Sequence, residues 1–147
     1  LSFAPTPTIL SPISRPLRIK FPDAIYHVTS RSDQREPIFE GDGDRAELLG
    51  VLEKGMQRVE AQVLAYCLMG NHDHFVLHTD RANLSLLMCH LNDVYTQAFE
   101  RRHHKAGHLF QSRFKAILVD RDAYLLEVCR YVELKPVRAR MMSGPGE

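Results

Sequence analysis

The stretch Asn71-His72-Asp73-His74-Phe75-Val76-Leu77-His78 decides how this 147-residue chain folds and where its chemistry lies. A strand alternates its side chains between two faces, so His72, His74, Val76 and His78 share one face and Asp73, Phe75 and Leu77 the other. Phe75 and Leu77 mark their face as the one that meets the core. The imidazoles then look out from the opposite side, and two convergent imidazoles are half of a metal site. Asp73 turns toward the core, where an unpaired carboxylate costs several kcal/mol. Its place at the strand end gives it a route to solvent.

Working outward, Gln62 to Met69 is a continuous apolar strand and Gly70-Asn71 a two-residue turn. With a strand from Asp73 to Thr79 they make a hairpin. Asn83 is a good cap for a long helix that carries Leu84, Leu87, Met88, Leu91, Tyr95, Ala98 and Phe99 on one face. Upstream, Ala24 to Ser30 alternates and is rich in β-branched residues, as a first strand should be. Asp42-Gly43-Asp44 supplies a turn and a cap for a helix with Leu48, Leu49, Leu52, Met56 and Val59 at helical spacing. Downstream, Phe114 to Val119 is a fourth strand, and Asp120 caps a last helix from Arg121 to about Leu134, ended by Pro136.

The order β-α-β-β-α-β-α contains the split pattern of a ferredoxin-like α+β fold: an antiparallel sheet with two helices on one face. The extra C-terminal helix must then cover the other face, which is the face of the histidines. Tyr124, Glu127, Tyr131 and Lys135 share one side of that helix, because steps of three, four or seven residues stay within a sector of about 60°. Tyr131 can therefore face His72 and His74. A tyrosine opposite a divalent ion is a phosphoryl-transfer arrangement: the ion polarises a phosphodiester while the hydroxyl attacks phosphorus. The ion meets a real difficulty, since a phenol of pKa about 10 is mostly protonated at neutral pH.

Composition bounds the rest. The length suits one domain with a real core. No apolar run approaches the roughly 20 residues that span a bilayer, so the expectation is no membrane partner and a cytoplasmic protein. Cys67, Cys89 and Cys129 are isolated among apolar neighbours, as reduced core thiols are. Residues 1–100 carry a net charge of −4 and residues 101–147 one of +5, so the base-rich end is where phosphate would bind. There Arg101, Arg102, Lys105, Arg113 and Lys115 lie in an acid-free stretch broken by Phe110 and Phe114, a mixture that suits a DNA backbone with rings for its bases. Residues 1–16 hold four prolines and read as a disordered arm, 17–142 as the catalytic domain and 143–147 as a flexible tail.

Histidine-triad nucleotide hydrolases need His-x-His-x-His, whereas His78 comes four residues after His74. Two-histidine phosphoesterases need two His-x-Ser/Thr copies, and the chain does not carry two. His27, His78, His90, His103, His104 and His108 read as surface or structural, with His78 and His108 the best placed to border the site.

Taken in order, Arg15-Pro16-Leu17-Arg18-Ile19, Tyr26-His27-Val28-Thr29-Ser30-Arg31, Met69-Gly70-Asn71-His72-Asp73-His74, Gly107-His108-Leu109-Phe110-Gln111-Ser112-Arg113-Phe114-Lys115 and Arg130-Tyr131-Val132-Glu133-Leu134-Lys135-Pro136-Val137-Arg138-Ala139 resemble the single-tyrosine HUH transposases. The chain is most similar to the REP-associated tyrosine transposase branch, over about residues 15 to 142. The resemblance implies a ferredoxin-like enzyme that cleaves and rejoins single-stranded or hairpin DNA through a 5′-phosphotyrosine with Mg²⁺ or Mn²⁺. It implies His72 and His74 as metal ligands and Tyr131 as nucleophile, with Tyr124, one heptad earlier, as internal competitor. DNA contacts would come from Arg18, Arg31, Arg101, Arg102, Lys105, Gln111, Arg113, Lys115, Arg130 and Arg138. Lys135 stands where such proteins carry a third metal ligand. An ammonium has no lone pair to give, so its role would be a phosphate contact, with Glu127 as the alternative reach to the metal. A homodimer that shares tyrosines between subunits stays open. So does a second functional class, an inactive or domesticated relative that keeps single-stranded DNA binding.

Overall fold

The computed structural model describes residues 21–33, 36–105, 107, 109–111 and 113–134. The expected arm and tail, and with them Arg18, His108, Lys135 and Arg138, lie outside the described residues. The elements run β1 (Ala24–Arg31), α1 (Asp42–Val59), β2 (Ala61–Leu68), β3 (His72–Thr79), α2 (Leu84–His103), β4 (Lys115–Val119) and α3 (Leu125–Glu133). The four strands pair antiparallel in the order β2-β3-β1-β4, the expected ferredoxin-like arrangement. β1 and β3 occupy the centre, where each has a neighbour on both sides.

The helix-facing side of the sheet carries the main core. Tyr26 and Val28 of β1 and Phe75 and Leu77 of β3 pack there with Leu48, Val51 and Leu52 of α1 and with Leu84, Leu87, Met88, Leu91, Tyr95 and Phe99 of α2. The helical stripes read from the sequence are thus the buried stripes. A second, smaller cluster lies on the opposite face, where Ile25, Ala65, Cys67, Val76 and Val119 receive Val132, with Leu125, Val128 and Cys129 of α3 packed around it.

β2 serves both clusters by means of a bulge. The register passes from Val63 opposite Leu77 to Ala65 opposite Val76, so Leu64 is the extra residue. An inserted residue reverses the alternation: Ala61 and Val63 pack with the helices, while Ala65 and Cys67 pack under α3. A continuous apolar strand was the expectation, yet β2 is an edge strand and Leu64 and Tyr66 are exposed.

Three local expectations change. Asp120 does not start the last helix. Its Oδ1 accepts from the backbone N–H groups of Asp122 (2.9 Å) and Ala123 (3.2 Å), which closes a turn over 121–124, and α3 begins only at Leu125. Asn83 occupies the cap position of α2 without capping it; its Nδ2 donates to the Val59 carbonyl at 2.8 Å and ties the start of α2 to the end of α1. Asp73 finds no route to solvent and is fully buried. Its Oδ1 accepts from the Ser30 N–H at 3.1 Å, its Oδ2 has no partner, and burial pushes the carboxyl up to about 7.

Candidate active site

Register assembles the site on the face of the sheet away from α1 and α2. His72 lies opposite Arg31 of β1, His74 opposite Thr29 and Val76 opposite His27. On the other edge of β1, Thr29 lies opposite Lys115 and His27 opposite Ile117. Directly opposed residues point the same way, so all of these side chains share one face.

His74 is buried, and its Nδ1 is 3.0 Å from Nε2 of His27 and 3.1 Å from the Thr29 hydroxyl. The His27 and His74 rings stack with centroids 5.2 Å apart, and the His72 and His74 rings meet edge-on at 5.0 Å. α3 brings Tyr131 over this group: its ring stands edge-on to His27 at 6.4 Å between centroids. Val132, fully buried, anchors the helix beside it, while Tyr131 itself is 42% exposed and open to a large substrate. The structure therefore sets His72 against His74 and Tyr131 against His27, whose ring is stacked on that of His74. It adds His27, which read as surface or structural in the sequence. The missed signal was alternation in β1, which sets His27, Thr29 and Arg31 on one face; only knowing that β1 neighbours β3 makes that the histidine face.

The donor chemistry of the pair fits two imidazole ligands. His72 Nδ1 lies 2.7 Å from Asn71 Oδ1, and because a carbonyl oxygen only accepts, Nδ1 carries the proton and Nε2 the lone pair. His27 and Thr29 occupy Nδ1 of His74, so Nε2 is the nitrogen that a metal would take. His27 thus lies on the Nδ1 side of His74, away from its Nε2. Among the described residues no third histidine, cysteine or carboxylate completes a metal-holding group, and exposed Glu127, one turn before Tyr131, does not supply it. Tyr124 stands at the cap of α3, about 10 Å back along the axis from Tyr131.

The basic residues divide. Arg31, Gln111, Arg113 and Lys115 line one small crevice with Thr29, directly beside His74. Gln111 is placed there by its backbone N–H, which donates to the Arg31 carbonyl at 2.8 Å. Arg130 is exposed on α3 and Arg101 near the end of α2. Arg102 and Lys105 are engaged elsewhere: Arg102 pairs with Glu47 (3.0 Å) and with buried Asp44 (3.6 Å), and Lys105 with Glu40 (2.6 Å). His103 joins them, 2.8 Å from Asp44, in a clasp between the start of α1 and the end of α2. Phe114 is buried in the main core rather than offered to bases. His78 does not border the site; it hydrogen-bonds Asp23 at 2.9 Å, roughly 13 Å along β3 from His74. That bond, and then Arg121, hold the Asp23 carboxyl below the usual carboxylate range.

The fold is similar to solved structures. One is a REP-associated tyrosine transposase bound to a REP hairpin, 12% identical with a TM-score of 0.71 over 87% of this chain and 75% of that one. Another is a presumed transposase from Deinococcus radiodurans R1, 15% identical with a TM-score of 0.55 over 79% of this chain and 93% of that one. At these identities the likeness is one of fold. No curated protein matches the sequence. The model of the family described as "Transposase IS200 like" matches residues 20–135, a span that takes in all four strands, the histidine pair and Tyr131, and the chain belongs to that family.

Proposed function

We propose that this chain cleaves and rejoins single-stranded DNA, with Tyr131 as nucleophile and His72 and His74 as ligands of Mg²⁺ or Mn²⁺. The observation that carries the reading is the convergence of Tyr131 and the histidine pair across His27 on one otherwise open face. In the cleavage step Tyr131 Oη forms a bond to phosphorus and the bond from phosphorus to the 3′ oxygen breaks. The phenolic proton is released, the 3′ oxygen is protonated, and the 5′ end remains as a phosphotyrosine. Rejoining is the reverse attack by a 3′ hydroxyl. When bound, the divalent ion supplies positive charge to the scissile phosphate.

The chain's own residues do the rest. Arg31, Arg113 and Lys115 hold the flanking phosphates, and Gln111 offers an amide among them. His27 and Thr29 orient the ring of His74. Exposed Tyr131 is reachable by a strand lying across β1 and β4, because α3 packs on β2 and β3 and leaves Ile117 of β4 open. The hairpin of the solved REP complex points to hairpin-flanked single strands as the DNA partner.

The test is incubation with labelled hairpin-flanked single-stranded DNA and Mn²⁺, followed by denaturing electrophoresis. The expected result is a denaturation-resistant adduct that Tyr131→Phe removes and Tyr124→Phe does not. An adduct that survives Tyr131→Phe overturns the nucleophile assignment. A second reading, a DNA-binding relative without activity, is favoured by buried Asp73 between the two ligands. Binding of the same DNA with no adduct, and an adduct gained in Lys135→Asn, would establish that reading.

A further inference from the structure

Beyond the crevice next to His74, a larger cavity of about 510 Å³ opens between α2 and a wall of Gly107, Leu109, Phe110, Gln111, Arg113 and Phe114. The two adjoin, the crevice on the histidine face and the cavity on the α2 side, with Gln111 and Arg113 in the lining of both. We propose that this cavity receives one unpaired nucleobase, with an amino-bearing edge, from the strand that the basic crevice holds. The inference rests on the single-stranded DNA reading above and assigns it a second contact point.

The chemistry of the lining selects a base over a phosphate. Asp93 and Gln97 lie exposed on the α2 wall, one turn apart on one side, and Gln111 faces them from the loop. A carboxylate repels a phosphate and accepts hydrogen bonds from amino groups, while two amides both donate and accept. That set matches the Watson–Crick edge of cytosine, adenine or guanine and poorly matches thymine, which has no amino group. The cation of the cavity, Arg113, sits on the side shared with the crevice, where the phosphate of the same nucleotide would remain. Phe110, half-buried and backed by Tyr95 at 6.4 Å between centroids, gives the cavity an aromatic side. Asn92 acts as wall rather than reader: its Nδ2 donates to Ser30 Oγ at 3.2 Å and its Oδ1 is buried. That bond ties α2 to β1 at Ser30, whose side chain lies on the face opposite Thr29.

The experiment is fluorescence anisotropy with short labelled oligonucleotides of dC, of dA, of dT and of dC interrupted by abasic sites, against the wild-type chain, Asp93→Ala and Gln97→Ala. Both positions are exposed, so the variants should fold, which thermal melting checks. The expected result is binding of dC and dA about tenfold tighter than of dT and the abasic strand. Each substitution should erase most of that difference while leaving the salt dependence unchanged. Equal binding of all strands by the wild type overturns the cavity proposal alone, as does a preference that both variants retain. Failure of the wild type to bind any strand overturns the single-stranded DNA reading, and the cavity proposal with it.

Discussion

Asp73 and His27 carry the most consequential single-residue chemistry. Burial raises the Asp73 carboxyl from 3.8 to about 7. Well below pH 4 it is neutral whether the chain is folded or not, and its ionisation adds no cost. As pH rises from about 4 to 7 the unfolded chain ionises first, and stability falls by roughly 4 kcal/mol at 1.36 kcal/mol per unit. Above about 7 the loss is complete. Asp73→Asn is therefore expected to match the wild type near pH 4 and to exceed it near pH 8 in urea unfolding; parallel pH profiles would show that Asp73 escapes its burial. His27 acts through His74. Its removal in His27→Ala is expected to weaken Mn²⁺ binding by roughly 10–100-fold in calorimetry without DNA. His27→Gln, whose amide oxygen still accepts from His74 Nδ1–H, should keep most of the affinity, and equal losses in both variants would refute an orienting role.

α3 is the element on which the proposed activity turns, and it packs on the smaller cluster rather than the main core. It rests on the smaller cluster through Val132, Leu125, Val128 and Cys129, and its start is set by the Asp120 turn. Val132→Ala removes the only fully buried side chain among the helix's described residues, for a cost of about 1–3 kcal/mol. Because the cluster lies on the far side of the sheet from α1 and α2, that cost should appear as local opening. Amide exchange is expected to speed up in α3 while β1 and β3 keep their protection, and adduct formation should slow. Uniformly faster exchange through the sheet would mean that the two clusters unfold as one. Part of this element was legible: the pattern set Tyr131 on one side with Tyr124 and Glu127, but the helix packs through Leu125, Val128, Cys129 and Val132, so Tyr131 meets His27 from the flank. The helix start was missed because Asp120 satisfies N–H groups of a turn and of a helix equally well, and only the backbone path chooses.

Over the whole molecule, the base-rich end splits into two surfaces with different work. Arg31, Arg113 and Lys115 gather beside His74, whereas Arg102 and Lys105 close the clasp with Glu40, Asp44 and Glu47. Alanine at Arg113 or Lys115 is expected to lower the slope of log K against log salt for single-stranded DNA by about 0.7 for each phosphate no longer neutralised, with little change in melting temperature. Arg102→Ala should do the reverse. It leaves buried Asp44 with one partner fewer, at a cost of about 1–3 kcal/mol, and the salt slope stands. A salt slope lowered by Arg102→Ala would return that residue to the DNA surface. Charge counting could not make this division, because acids from α1 reach the end of α2 only once the two helices pack side by side.

What the sequence determined alone follows from local periodicity. Alternation in residues 72–79 fixed which side of β3 bears the imidazoles, helical spacing fixed the buried stripes of α1 and α2, and the order of elements fixed the sheet. Those features depend on neighbours a few residues apart, which a linear reading sees. Tertiary structure alone decided the rest. The Leu64 bulge turns β2 to serve two cores, β1 pairing brings His27 and Thr29 behind His74, and the packing of α1 on α2 draws Arg102 and Lys105 into ion pairs with Asp44, Glu47 and Glu40. Each joins residues distant in the chain, so its energy comes from register and packing that no local pattern encodes.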